Sequence, residues 1–121
     1  MGKMVQSFRD LVVWQRSMQL ALAIYRITQS FPREELYGLA GQLRRSAVSI
    51  PSNIAEGQGR LGTGEFRQFL GIARGSNCEL QTQLEVARSL GYSEIKSIQE
   101  AEGLSAEIGK MINGILSSLA V

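Results

Sequence analysis

The sequence predicts an all-α fold: an antiparallel up-and-down four-helix bundle whose second helix is kinked by a proline. Three observations lead there. Apolar residues recur at steps of three and four through four long stretches of the 121 residues, which is the spacing of one helical face. No stretch alternates apolar and polar residues between turn signals, as a strand would. The connections are short, so successive helices have to fold back on one another. The chain, 1–121, reads as one domain with helices at about 8–30, 35–57, 63–90 and 93–119, since its length is too small for two ordinary cores.

In the first stretch Leu11, Trp14, Met18, Leu22 and Tyr25 form the main apolar face. Ser7 and Asp10 supply the S-x-x-D spacing of a capping box, which occupies amides that a helix start leaves unpaired. Val13, Leu20, Ile24 and Ile27 fall off that face, which predicts a second buried side against another helix or subunit. Pro32 then separates the second stretch, where Leu36, Leu39, Leu43, Ala47, Ile50 and Ile54 keep helical spacing up to Gly57. GQGRLGTG reads as a flexible connection and Thr63 as the next cap. Phe66, Phe69, Leu70, Ala73, Leu80, Leu84 and Ala87 stripe the third helix, which Gly91 ends as a left-handed cap. Ser93 caps the fourth, striped by Ile95, Ile98, Ala101, Ile108, Ile112, Ile115 and Leu119. The residues before Ser7 and the last few read as frayed ends.

Composition narrows the function. With 44% hydrophobic and 20% charged residues the chain is of the folding kind. It has no histidine, and so lacks both the commonest general base and the commonest transition-metal ligand. A di-metal bundle site built on E-x-x-H pairs is excluded, no cofactor is expected, and the reading is against an enzyme. Cys78 is the single cysteine and predicts no internal disulfide; it reads as a small buried or half-buried residue. Without a run of eighteen apolar residues or a secretory signal, the expected setting is the cytoplasm, with no membrane. Net charge is only +2, yet the bases are unevenly spread: residues 44–74 carry five bases and two acids, and residues 75–121 three bases and six acids.

The middle of the second helix is the least ordinary segment. Pro51 removes an amide that would bond the Ala47 carbonyl, at about 3 kcal/mol in a helix interior, so the helix is expected to bend or restart there. Ser46, Ser49, Ser52 and Asn53 are placed to bond the freed backbone groups, and Asn53 and Glu56 share a polar stripe with Ser49 and Arg60. A ligand pocket near Asn53 and Glu56 is the other reading of that stripe. In the third helix Gly71 and Gly75 lie one turn apart, which predicts close approach of another helix, with Ser76 beside the contact and Glu79 pairing Arg44 or Arg45. Gly57, Gly59 and Gly62 spell G-x-G-x-x-G, but with no strand before them the dinucleotide fingerprint does not apply. Arg44, Arg45, Arg60, Arg67 and Arg74 are the candidate nucleic-acid-binding set, because a guanidinium fork matches phosphate oxygens and helices two and three would bring these residues to one surface. The bland alternative is a solvated face laced with ion pairs to Glu56, Glu65 or Glu79.

The strings FPREELYGLAGQLRRSAVSIPSNIAEGQGR and FRQFLGIARGSNCELQTQL, with L-V-V-W at Leu11 to Trp14, resemble the four-helix-bundle family encoded within intervening sequences of bacterial 23S ribosomal RNA. Ser46 stands where that family usually has alanine. The family is similar in fold to the accessory variability protein of diversity-generating retroelements, a barrel of five subunits that binds nucleic acid beside a reverse transcriptase. What the resemblance implies is therefore a homopentamer, with RNA or DNA as a partner through the arginines. The alternative is a scaffold that docks a partner enzyme without touching nucleic acid. Apolar residues on more than one side of the first helix, and Met111, Ile115 and Leu116 beyond one stripe of the fourth, independently predict self-association.

Overall fold

The computed structural model describes residues 7–119, which form four helices with no strand among the described residues: α1 (Val12–Thr28), α2 (Leu39–Gly59), α3 (Thr63–Leu90) and α4 (Ile95–Leu119). Each helix packs on two others, α1 on α2 and α4, and α3 on α2 and α4. Their contacts run in opposite directions. Ser46 and Ser49 of α2 meet Gln83 and Ser76 of α3; Asn77 and Arg88 of α3 meet Ser105 and Glu102 of α4; Ser30 and Arg16 meet Ser93 and Glu107. As residue numbers rise on one partner they fall on the other, the pattern of an antiparallel up-and-down bundle.

Leu20, Ile24, Leu43, Ile50, Ile54, Leu70, Leu80, Leu84, Ile98, Ile108 and Ile112 are the large side chains of the core, each with 0% exposure. Full burial of such a side chain contributes about 1.5–3 kcal/mol, so these residues fix which face of each helix points inward. On α1 that face is the reverse of the expected one. Val13, Leu20, Ile24 and Ile27 are in the core, whereas Leu22 and Tyr25 are exposed and Trp14 and Met18 half-buried. Ser17 and Thr28 sit on the core face too, their hydroxyls donating to the Val13 and Ile24 carbonyls at 2.7 Å. A backbone carbonyl thus hides the polar atom of each.

Helix ends differ in detail from the sequence expectation. The Ser7–Asp10 box forms, but it caps a 3-10 turn over Phe8–Asp10, and α1 begins at Val12. Thr63 is the first residue of α3 rather than its cap; Gly62 holds the cap position. Gly91 ends α3 with φ 69°, and the amides of Gly91 and Tyr92 bond the Arg88 and Ala87 carbonyls at 3.1 Å. This is the left-handed stop that glycine adopts without a Cβ clash. The second helix starts at Leu39, four residues later than expected, after a 3-10 turn over Arg33–Glu35. Glu35 replaces helical backbone with a side-chain cap: its carboxylate accepts the Leu39 amide at 3.1 Å and the Tyr92 hydroxyl at 3.0 Å.

That carboxylate joins the α1–α2 and α3–α4 connections. The hydrogen bond to Glu35 holds the Tyr92 phenol above its usual pKa, with burial and the charges of Glu35 and Glu34 adding to the effect. The folded chain therefore keeps the phenol proton more tightly than the unfolded one, and raising pH through the ordinary tyrosine range near about 10 favours unfolding. Urea unfolding followed from pH 8 upward is expected to show an alkaline fall in stability that Tyr92→Phe reduces. An unchanged alkaline limb in that variant rules the tie out.

Candidate functional site

The five candidate arginines do not share a surface. Arg44 lies on the α1 side of α2, where its Nε donates to Thr28 Oγ1 at 2.8 Å and its guanidinium stands 4.9 Å from the Tyr25 ring centre. Arg60 is at the opposite end of the bundle, 2.8 Å from Glu56, 3.8 Å from Glu65 and 5.1 Å over the Phe69 ring. The Glu56 hydrogen bond raises its pKa further, so it stays charged. Arg67 points to α4 and donates to the Leu116 carbonyl at 3.0 Å. A cation there suits the negative end of that helix. Arg45 and Arg74 remain: both are exposed, and among the described residues neither makes a hydrogen bond or ion pair. Seven residues apart, Arg67 and Arg74 do share a side of α3, but it is the side toward α4.

The residues around Pro51 form a different contact from the one expected. The helix continues through Pro51, which is buried. Ser46 donates to the Leu43 carbonyl and to Gln83 Oε1 at 2.7 Å. Ser49 bonds Ser76 at 2.8 Å, and Asn53 Nδ2 donates back to the Ser49 carbonyl and hydroxyl at 2.8 and 3.0 Å. These groups serve the α2–α3 seam, not the Ala47 carbonyl. Glycine closeness is also transposed. A Cβ on Gly71 or Gly75 would meet nothing within 4 Å, whereas one on Gly57 would lie 2.7 Å from Phe69 Cβ and 3.1 Å from Phe66 Cδ1. The notch is on α2, and aromatic residues of α3 fill it. Glu79 is exposed without an ion pair among the described residues; Arg44 is engaged with Thr28, and Arg45 makes no ion pair with it. Cys78 is exposed, contrary to expectation.

Several polar groups that spacing did not single out are central to packing. Asn77 and Ser105 are buried between α3 and α4 and exchange two hydrogen bonds, Nδ2 to the Ser105 carbonyl at 3.0 Å and Ser105 Oγ to Oδ1 at 2.7 Å. Arg88 pairs with Glu102 across the same seam. Arg67, Gln81 and Arg88, whose side chains bond α4, recur at multiples of seven, and Asn77 lies one turn before Gln81 on that side of α3.

Three outer depressions among the described residues are mainly apolar, one of them between the start of α1 and the end of α4 beside Val12 and Ile115. Between α1 and α2 a groove of about 330 Å³ is lined by Trp14, Met18, Leu22, Tyr25, Val48 and Pro51, among others. On α3 a shallower depression of about 660 Å³ runs over Cys78, Thr82, Val86 and Leu90. Among the described residues no group of His, Cys, Asp and Glu is placed to hold a metal ion, and no helix is long and apolar enough to cross a membrane.

Comparison with known proteins accords with this geometry. No curated protein matches the chain. A crystal structure of a protein of unknown function from the S23 ribosomal protein family of Bacteroides thetaiotaomicron superposes with a TM-score of 0.79 at 25% identity, covering 86% of this chain and 97% of that one. The model of the 23S rRNA-intervening sequence protein family matches residues 9–114. That span takes in all of α1, α2 and α3 and most of α4, and the chain belongs to the 23S rRNA-intervening sequence protein family.

Proposed function

We propose that this chain is a non-catalytic binding protein that works as an assembly of its own copies. The observation that carries this is the exposure of large apolar side chains on two separate helix faces: Leu22, Tyr25 and Val48 beside the α1–α2 groove, and Ile72, Val86 and Leu90 on α3. Contiguous apolar patches on a soluble chain mark contact surfaces. Five copies in a ring is the count the family resemblance implies, and multi-angle light scattering measures it. A monomer at tens of micromolar removes the proposal.

RNA or DNA is the partner this assembly is proposed to hold. The family name refers to 23S rRNA, and Arg74 offers a fork that no carboxylate among the described residues occupies. One unpaired guanidinium per subunit is a weak site, but repetition around an assembly multiplies it. Affinity is expected to fall linearly on a log–log plot against salt, as phosphate contacts release counterions. Arg74→Ala should lower affinity and flatten that slope, whereas Arg44→Ala, whose guanidinium is engaged with Thr28 and Tyr25, should leave the slope alone. Fluorescence anisotropy with structured RNA, single strands and duplex from about 50 mM salt reads both. Absence of binding to all three by an intact assembly favours the second reading, a scaffold that docks a protein on its apolar faces.

A further inference from the structure

The α1–α2 groove and the outward face of α3 differ in shape and charge in a way that makes them fit each other. The α1–α2 groove is walled by bulky side chains, and the helices that form it are poor in carboxylates: α1 has none, and the one on α2, Glu56, is paired with Arg60 at the α3 side. Arg45 stands one turn from Val48 on the outward side of α2, exposed and, among the described residues, unpaired. The outward face of α3 is low in relief, with Gly71 and Gly75 in open space and Cys78 and Thr82 following them. Val86 at 43% exposure and Leu90 at 54% supply its apolar area. Glu79 and Glu85 flank it; among the described residues Glu79 has no partner, and Glu85 reaches Arg88 only at 3.8 Å.

We infer that α3 of one copy seats in the α1–α2 groove of the next, with Glu79 and Glu85 facing Arg45. This rests on the self-association proposed above and names the surfaces that perform it. Such a contact is heterologous, because groove and filler are different patches of the same chain, so each copy keeps one free face after its first contact. Repetition then closes a ring or extends a filament. A smooth helix permits close approach to a groove with bulky walls, and burial of apolar atoms drives the contact while the charge pairing sets its direction. Arg74 lies at the α4-side edge of this face, on the same side of α3 as Glu85.

The test uses two variants at exposed positions, Val48→Glu in the groove and Val86→Glu on α3, followed by light scattering, with circular dichroism confirming that helix content is kept. Each variant alone is expected to be monomeric, since each has lost one half of the contact. Mixed in equal amounts, they should give a 1:1 dimer and nothing larger, through the intact groove of the Val86→Glu chain and the intact α3 of the Val48→Glu chain. Assembly of wild type that survives either substitution overturns this pairing of faces and leaves self-association standing. Loss of assembly in both variants without a mixed dimer overturns it as well. A monomeric wild type removes both readings together. If Val48→Glu loses helix content, Ser52→Glu, at an exposed position in the same groove, takes its place.

Discussion

Gly57→Ala is expected to destabilise the fold by about 2 kcal/mol, although alanine is the better helix former by about 1 kcal/mol at an unconstrained site. Packing decides the sign. The added methyl would sit 2.7 Å from Phe69 Cβ and 3.4 Å from the Phe66 carbonyl, and neither atom can swing aside as the tip of a long side chain can. α2 and α3 would have to separate along their most extensive contact, straining the Ser49–Ser76 hydrogen bond two turns away. Gly75→Ala is the matched control. Its Cβ meets nothing, so the same substitution should stabilise by roughly 0.5–1 kcal/mol through backbone entropy alone. Urea unfolding of the two variants measures the contrast. Equal, small gains at both positions would show that the helices are further apart at Gly57 than the structure places them.

Asn77→Asp is expected to cost about 3 kcal/mol or more at neutral pH. The native amide donates to the Ser105 carbonyl and accepts from its hydroxyl. A carboxylate keeps the acceptor and turns the donor into a second oxygen facing a carbonyl, in a site only 3% exposed. Burial there would lift the new acid above its ordinary value near about 3.9. The folded chain would then hold the proton more tightly than the unfolded chain. Sign follows from linkage: stability is lost as pH rises through the folded-state value and is recovered below the ordinary value, where both states are protonated. Unfolding midpoints at pH 7 and pH 4, each relative to wild type, test this. A penalty that stays constant between the two pH values excludes a buried charge as its cause.

Much of the fold is legible in the sequence because its signals are backbone signals. The end of α3 follows from Gly91, whose left-handed conformation needs no knowledge of neighbouring helices, whereas its start is read from Thr63 as a cap and the structure puts Gly62 in that position. The inward face of α1 is a different matter. Leu11, Trp14, Met18, Leu22 and Tyr25 repeat as regularly as Val13, Leu20, Ile24 and Ile27, so hydrophobic spacing gives two faces of similar strength. What breaks the tie is Ser17 and Thr28, whose polarity argues for the outside and whose short reach to their own backbone permits the inside. Asn77 and Ser105 are hidden for the same reason: each looks like surface until its partner on the other helix is in view.

The arginines show where helical spacing stops being informative. A separation of seven places Arg67 and Arg74 on one side of α3, and the structure agrees. Which neighbour that side faces is set by the order of helices around the core, and that order turns it toward α4 and away from Arg44. Gly75 illustrates a further limit. A helix-interior glycine signals either close approach or open surface, and only the opposing atoms distinguish them; at Gly57 they are the rings of Phe66 and Phe69, and at Gly75 there are none.

Trp14 is the single tryptophan of the chain, and it lies in the wall of the α1–α2 groove, half-buried and edge-on to Phe8 at 5.2 Å. Its indole emission therefore depends on whether water or another helix occupies that groove. Unlabelled protein carries a built-in optical probe at this one surface, and dilution or subunit mixing can be followed by a spectral shift.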